Sequence, residues 1–545
     1  MHSIDIVLFM LVAVLASGYI ARALPFSLPL PLVQIGLGAF ISAFSSRGVA
    51  LDPHTFFVLF LPPLLFLDGW RIPKEGLFRD SRVILQLALG LVLLTVIGAG
   101  FLIHWLIPAV PLAVAFALAA IVSPTDPIAV SSIASRAPIP RRLMHILEGE
   151  SLLNDASGLV CFRFAVAAAM TGHFSIASAS LTFLWLALGG LAIGALLILG
   201  IQRAHVVLTR RFGQETGMPI LLSLLMPFGA YLLAEKLGAS GILAAVAAGI
   251  AMSYVELSGN APAVTRVQRT AVWETVQFTL NGIMFVLLGE QLPGILRDAA
   301  ESAAQSGHSS WWWLVLYAIA INLGLAVIRF LWVWTSFRIT AFVAERRGEV
   351  VAPTHWRLVV ATSLAGVRGA VTLAGVLSLP LLLPNGDAFP ARDLVIFLAT
   401  AVILLSLLAA SFGLPPLLAG LKLPPETKDE RSADRARFLA AKAAIAAIEK
   451  AQHDAPEAAG DPEVYAAAAT RVMALYQRRL NLGNADPGVA AAELRKADDA
   501  EKVLRLAGLR AERDELFRLA RAHRISDDVA RSLVREIDLL ESRYR

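Results

Sequence analysis

A succession of long apolar stretches constrains this chain most. The 545 residues are 57% hydrophobic and only 16% charged, with a mean hydropathy of +0.67. About 20 apolar residues in a row cross a bilayer as a helix, because lipid offers no partner for unpaired backbone groups. The sequence therefore predicts an all-α polytopic membrane protein with about 13 transmembrane helices. The predicted spans are residues 4–21, 28–46, 53–70, 83–106, 112–135, 143–170, 181–202, 217–235, 239–256, 271–292, 311–336, 356–382 and 393–418.

The basic residues of the predicted loops are strongly biased to one side of the membrane. The richer side holds Arg22, Arg71, Lys74, Arg79, Arg82, Arg136, Arg141, Arg142, Arg203, Arg210, Arg211, Arg266, Arg269, Arg338, Arg346, Arg347 and Arg357. The poorer side holds Arg47, Lys236, Arg297 and Arg392. Because Lys and Arg in short loops stay in the cytoplasm, we expect a cytoplasmic (inner) membrane protein with its N-terminus outside and its C-terminus in the cytoplasm. The pI near 9.4 then requires no nucleic-acid partner.

Two of the spans contain helix-breaking residues at corresponding positions. Spans one to six and spans eight to thirteen form two sets of six, with span seven as a linker. The fifth span of the first set contains Pro124 and Pro127, and the fifth of the second contains Gly366 and Gly369 around Arg368. Paired interruptions of this kind are typical of inverted repeats in transporters. We therefore predict two inverted six-helix repeats with interrupted helices.

Three carboxylates lie within or beside these spans. Asp126 stands between the two prolines, whereas Glu150 and Asp155 belong to a polar stripe in span six. Ser151 and Asp155 are four residues apart, as are Glu150 and Asn154, so the four side chains share one helical face. In a soluble protein these motifs would be a surface turn and a helix cap. At membrane depth each charge costs about 2.5 to 3.5 kcal/mol on insertion scales, which favours a functional site.

Four motifs in order resemble the signatures of a known family. They are Leu61 to Gly69 (LPPLLFLDG), Thr125-Asp126-Pro127, Glu150 to Asp155 (ESLLND) and Gly366 to Val371 (GVRGAV). They are similar to motifs of the monovalent cation:proton antiporter-1 family, to which the bacterial sodium/proton exchangers belong. The resemblance covers about residues 4 to 420. It implies crossed, interrupted helices and alternating access in a homodimer. A core of spans 4–6 and 11–13 would move against a dimer interface of spans 1–3 and 7–10.

The resemblance also implies roles for charged residues. Glu150 and Arg329 would form a structural ion pair. Arg368 would lie near the helix crossing and offset the charge of Asp126 and the carbonyl ends of the half-helices. Asp68 would approach the ion, although an interfacial position is an open alternative. For Arg163, which is not part of a motif, we expect a side chain that extends to the membrane surface.

Burial favours the neutral form of a carboxyl group, so Asp155 could hold either a proton or a cation. Thr125 and Ser151 would supply oxygen ligands, the hard donors that suit a cation such as Na⁺. Asn154 would orient the site without titrating, and the Asn-Asp pair resembles the electroneutral type of antiporter. The expected function is exchange of Na⁺, Li⁺ or K⁺ for H⁺ in pH and sodium homeostasis, without a cofactor. The alternatives are potassium/proton antiport and transport of an organic ion on the same fold.

The composition changes abruptly near Lys422. Charge rises, long apolar runs stop, and Ala, Glu, Arg and Leu recur at helical spacing. We predict a transmembrane domain over residues 1–421 and a cytoplasmic helical tail over residues 422–545. The predicted tail helices are residues 432–450, 462–482, 488–523 and 527–544. Two interpretations of this tail fit the sequence. It is either a helical domain that packs on itself or an element that regulates transport or supports a dimer.

Overall fold

In the part of the chain that the computed structural model describes, the regular secondary structure is helical, apart from an isolated bridge between Leu382 and Ala388. The chain forms two compact units, Met1–Leu421 and Lys422–Arg545. The described residues are 3–24, 28–44, 53–71, 90–126, 141–172, 176–213, 217–257, 263–305, 312–346, 356–419, 427–453, 462–484, 489–522, 524 and 527–542.

Helices α1 to α14 belong to the first unit. They are α1 Ser3–Ala23, α2 Leu30–Phe44, α3 Pro53–Arg71, α4 Leu91–Leu106, α5 Leu112–Ile121, α6 Arg141–Thr171, α7 Ile176–Phe212, α8 Gly217–Lys236, α9 Gly241–Leu257, α10 Ala263–Gln305, α11 Trp312–Arg346, α12 Trp356–Leu364, α13 Ala370–Leu377 and α14 Arg392–Leu418. Among the described residues, five helices are long and apolar enough to cross a membrane, and they are α7, α8, α10, α11 and α14. Shorter apolar helical segments lie in α1, α2, α4, α5, α6 and α9.

Several helices extend beyond the apolar stretches that predicted them. Helix α7 continues to Phe212, α10 covers Ala263–Gln305, and α11 continues to Arg346. Hydropathy marks only the part of a helix that suits the hydrocarbon core, so polar extensions escape it. The start of span four and the end of span five lie outside the described residues, as do Pro127, Lys74, Arg79, Arg82, Arg136 and Arg347.

Close backbone contacts join the helices of the first unit. A Cβ atom added at Gly38 of α2 would lie 1.9 Å from the carbonyl oxygen of Val286 in α10. A Cβ atom at Gly289 would lie 2.0 Å from the carbonyl oxygen of Ile35. Only glycine permits this approach, which is typical of helix packing in membranes.

Exposed apolar side chains surround a buried centre in the first unit. Phe9 of α1, Leu188 of α7 and Leu323 of α11 are all more than half exposed. By contrast, α5 is buried along most of its length, and α14 buries half or more of its residues. Such extensive apolar exposure suits contact with lipid tails and would be unfavourable in water. The short helix α5 therefore lies at the protein centre, where its C-terminal end can contribute to a site.

The second unit is also helical, as the periodicity of its sequence predicted. Its helices are α15 Thr427–His453, α16 Pro462–Asn484, α17 Val489–Arg521 and α18 Asp527–Ser542. Arg513 of α17 pairs with Asp538 at 2.8 Å and also contacts Glu541, both in α18. These ion pairs connect the last two helices of the unit.

Candidate functional site

The end of one helix and a break between two others meet at the centre of the first unit. Helix α5 ends at Ile121, and the non-helical residues 365–369 separate α12 from α13. Ser123 precedes Pro124, a position that disfavours the α conformation, so the helix stops there. The backbone N–H of Asp126 donates a hydrogen bond of 2.7 Å to the carbonyl oxygen of Val367. The two non-helical segments are therefore in direct contact.

Arg368 lies at this contact and is buried. Its Nε donates to the carbonyl oxygen of Val122 at 2.9 Å, and its Nη1 donates to that of Gly366. Its backbone N–H donates to Ser406 Oγ of α14 at 3.1 Å. Carbonyl groups at a helix C-terminus carry partial negative charge and lack intrahelical partners. Arg368 therefore satisfies a carbonyl oxygen at the end of α5 and another between α12 and α13.

Asp126 packs directly against the neighbouring glycine. A Cβ atom added at Gly369 would lie 1.9 Å from Asp126 Oδ2 and 2.5 Å from its Cβ atom. No larger residue fits at position 369 while the Asp126 side chain keeps this position. The carboxylate of Asp126 is thus held beside the N-terminus of α13, where the helix dipole favours negative charge.

The polar stripe of α6 faces the first interruption. Ser151 Oγ donates to the carbonyl oxygen of Thr125 at 2.7 Å, and Asn154 Nδ2 donates to Thr125 Oγ1 at 2.9 Å. Ser151, Asn154, Asp155 and Thr125 are all buried. Asn154 Oδ1 is buried without a hydrogen bond partner among the described residues. The helical spacing thus aligns this face of α6 with both oxygens of Thr125.

A small cavity brings the predicted acidic residues together. Its volume is about 30 Å³, and Asp68, Thr125, Asp126, Ser151 and Asp155 contribute to its lining. A site needs roughly 10 to 15 Å³ to hold one water molecule, so this cavity has room for a small ion. The atoms that could bind an ion in this cavity are carboxylate, hydroxyl and carbonyl oxygens, which suit hard cations. The arrangement can therefore hold either a proton on a carboxylate or a small cation among oxygens.

Glu150, which precedes the cavity-lining Ser151, forms a buried ion pair with Arg329. The distances are 2.5 Å from Nη1 to Oε1 and 3.0 Å from Nη2 to Oε2. Arg329 Nε also donates to the carbonyl oxygen of Thr362 at 3.4 Å. The pair connects α6 to α11, and the third bond connects α11 to α12.

Two polar residues of the cavity were missed by the sequence analysis. Asn281 of α10 and Thr372 of α13 also line it. Asn281 follows Leu280 inside an apolar span, and a polar residue in such a position is itself a signal of function. Thr372 lies on the first turn after Gly369, and the motif containing Gly369 could have identified it.

The structure adds detail to the settings of two arginines. Arg163 of α6 remains partly exposed, as expected for a side chain that extends towards the surface, and it forms an ion pair with Glu235 of α8 at 2.9 Å. Arg269, assigned to a loop, is instead within α10, buried and paired with Glu256 at 2.7 Å. Both acidic partners lie near the ends of apolar spans, where hydropathy alone does not reveal pairing.

Comparisons with known proteins agree with these features. The transmembrane sodium/hydrogen exchanger family model matches residues 8–420. The chain is 40% identical over 543 residues to the uncharacterized Na⁺/H⁺ exchanger YjcE of Escherichia coli, covering 98% of each chain. It is 37% identical to the sodium, potassium, lithium and rubidium/H⁺ antiporter of Bacillus subtilis, covering 99% of this chain and 78% of the relative.

A solved structure has a similar fold. The sodium proton antiporter MjNhaP1 from Methanocaldococcus jannaschii aligns with a TM-score of 0.57 at 18% identity, covering 77% of this chain and 98% of that one. The family match spans most of the chain and contains every motif residue of the site. The chain therefore belongs to the sodium/hydrogen exchanger family of cation/proton antiporters.

Proposed function

We propose that Asp155 is the carboxylate that exchanges a monovalent cation for a proton, with Ser151 and Thr125 completing the oxygen ligands. The observation that carries this proposal is the cavity of about 30 Å³ that these three residues share with Asp126 and Asp68. The Ser151 hydroxyl donates a hydrogen bond to the carbonyl oxygen of Thr125. The lone pairs of Ser151 Oγ are therefore directed elsewhere and can bind a cation. The negative charge of Asp155 is the one that a bound Na⁺ or a proton would neutralise.

The exchange is electroneutral in this proposal. Glu150 is held by two bonds from Arg329, and Asn154 carries no charge. Because burial favours the neutral form of a carboxyl group, an empty Asp155 takes up a proton, and a cation displaces it. One carboxylate that changes occupant exchanges one cation for one proton.

The cavity also supports an alternating-access mechanism. Asp155, Thr125 and Thr372 belong to the proposed core of spans 4–6 and 11–13, whereas Asp68 and Asn281 belong to the proposed interface of spans 1–3 and 7–10. A site between two bundles opens to either side when one bundle moves relative to the other. In this proposal the chain has about 13 spans in two inverted repeats, and the interface bundle also joins two copies into a homodimer.

The proposed orientation follows from the loop charges. The N-terminus lies outside, and the tail after residue 421 lies in the cytoplasm beside the inner membrane. Sodium is the expected ion, with pH and sodium homeostasis as the physiological role. Potassium/proton exchange is the second candidate, because the B. subtilis relative is named an antiporter of sodium, potassium, lithium and rubidium.

Purified protein in proteoliposomes tests these points together. A gradient of Na⁺, Li⁺ or K⁺ across the vesicle membrane should drive proton movement in the opposite direction if the site accepts that ion. A pH-sensitive dye inside the vesicles reports the proton movement. Proton movement at the same rate under imposed positive and negative voltages would support a one-for-one exchange. A rate that follows the voltage would contradict it, and vesicles without protein provide the background.

A further inference from the structure

A second and larger cavity lies apart from the transport site. Its volume is about 260 Å³, and it is lined by residues of α7, α8, α9 and α10. Its polar lining residues are Gln202, His205, Thr209, Arg210, Glu256, Thr265 and Arg269. None of them lines the cavity that contains Asp155. The rest of the wall is largely apolar and includes Leu222, Met226 and Met252.

Arg269 is held rigidly at this cavity but keeps one donor unused. Its Nη2 donates to Glu256 Oε1 at 2.7 Å, and its guanidinium lies 5.2 Å from the ring centre of Trp70. Trp70 Nε1 donates to the other oxygen, Glu256 Oε2, at 2.7 Å. Arg269 Nε is buried and makes no hydrogen bond with the described residues. Its charge therefore stays in place while one N–H remains without an acceptor.

The hydroxyl group of Thr265 is a second buried polar group without a hydrogen-bond partner among the described residues. Thr265 lies four residues before Arg269 on α10, so the two side chains share one face of the helix. Thr265 is 1% exposed and Arg269 is 4% exposed. Thr265 Oγ1 also makes no hydrogen bond within the described part of the chain. Each unsatisfied buried donor costs about 1 to 3 kcal/mol, and a ligand with acceptor oxygens would remove both costs.

The charges of the wall favour an anion. Arg210 and Arg269 contribute two positive charges, against one negative charge from Glu256, whose two oxygens already accept hydrogen bonds. Phosphate oxygens are strong acceptors for arginine, and basic pockets between transmembrane helices on the cytoplasmic side suit phosphate-bearing head groups. The apolar part of the wall would suit the glycerol and upper acyl carbons of a lipid.

We propose that this cavity is a binding site for a phosphate group, held by Arg210, Arg269 and Thr265. The group could come from the head group of an anionic phospholipid or from free inorganic phosphate. The chemistry at the protein is the same in both cases. Only the apolar wall distinguishes the two sources, because free phosphate makes no use of it.

Binding to the delipidated full-length protein in detergent tests the proposal. Three probes are compared by thermal shift and by native mass spectrometry: phosphatidylglycerol, phosphatidylcholine with the same acyl chains, and inorganic phosphate. Two variants remove proposed contacts: Thr265→Val, which keeps the side-chain shape, and Arg210→Gln. The matched control is Arg211→Gln, which loses the same charge from an exposed residue that does not line the cavity.

We expect phosphatidylglycerol to bind more tightly than phosphatidylcholine, and each test variant to weaken this binding about tenfold, with the control unchanged. If phosphatidylglycerol binds and inorganic phosphate does not, the ligand is a lipid head group. If inorganic phosphate displaces the lipid, and the two test variants weaken phosphate binding as well, the free ion suffices. Equal binding of both lipids with no effect of phosphate, or test variants that bind like Arg211→Gln, would overturn the proposal. These measurements involve no transport, so they stand independently of the exchange mechanism.

Discussion

Arg329 binds Glu150 through two parallel hydrogen bonds although the residues are 179 positions apart in the chain. The side chains of Arg329 and Glu150 are 2% and 0% exposed. The pair therefore has no contact with water, and each charge depends on the other. It also fixes α6, the helix that carries Asp155, against α11.

The first prediction concerns this pair. Glu150→Gln and Arg329→Gln should each destabilise the protein by about 3 to 5 kcal/mol, because each leaves an unpaired buried charge. The double variant should recover much of this loss, which thermal unfolding in detergent measures. The half-exposed pair Arg163 and Glu235 is the control cycle, with an expected coupling of about 0 to 1 kcal/mol. Additive losses at Glu150 and Arg329 would contradict the assignment.

The second prediction concerns Asp155. Asp155→Asn should lower cation-driven proton movement to the level of empty liposomes while the protein remains folded, because it removes the charge that proton and cation share. Asp393→Asn is the control, since Asp393 is exposed at the start of α14 and does not line the cavity. Transport by Asp155→Asn at the rate of the control would exclude Asp155 as the exchanging carboxylate.

The third prediction concerns Thr125. Thr125→Val removes the acceptor for Asn154 Nδ2 and strands that donor, which costs about 1 to 3 kcal/mol. The cation concentration at half-maximal exchange should rise about tenfold. Thr125→Ser keeps the hydroxyl and should remain close to the unmodified protein. If both variants behave alike, the hydroxyl of Thr125 has no part in cation binding.

The fourth prediction concerns Gly369. An alanine Cβ atom would lie 1.9 Å from Asp126 Oδ2, so Gly369→Ala should displace the carboxylate. Overpacking costs about 1 to 3 kcal/mol, so exchange should fall about 5- to 150-fold. Gly294→Ala in α10 is the control, because no atom lies within 4 Å of its added Cβ. Exchange rates in proteoliposomes compare the two, and equal rates would show that the crossing tolerates a larger residue.

The fifth prediction concerns the tail. A chain that ends after Leu421 should insert, bind cation and exchange, because every residue that lines the transport cavity precedes this point. A shifted pH profile would indicate that the tail regulates the transport unit. Stable insertion of the shortened protein with no exchange under any gradient would show instead that the tail is part of the transport machinery.

The sequence determined the helical fold, and it predicted the residue types of the candidate site, because both depend on local patterns. Apolar length predicts helices in a bilayer, and the polar stripe of α6 follows from a spacing of four residues. Pro124 predicted a helix end near its own position, and α5 ends at Ile121. Glu150, Asp155 and Arg329 are charged residues within apolar sequence, and the family resemblance predicted the contact that Glu150 makes with Arg329.

The tertiary structure decided which distant groups meet. Asn281 reaches the cavity from α10, and Arg163 meets Glu235, although no short-range pattern connects either residue to its neighbours. The hydrogen bond from Asp126 to Val367 joins two non-helical segments far apart in the chain. Helix periodicity specifies which face of a helix a residue occupies. Which other helix packs against that face depends on close contacts between helices, such as those at Gly38 and Gly289.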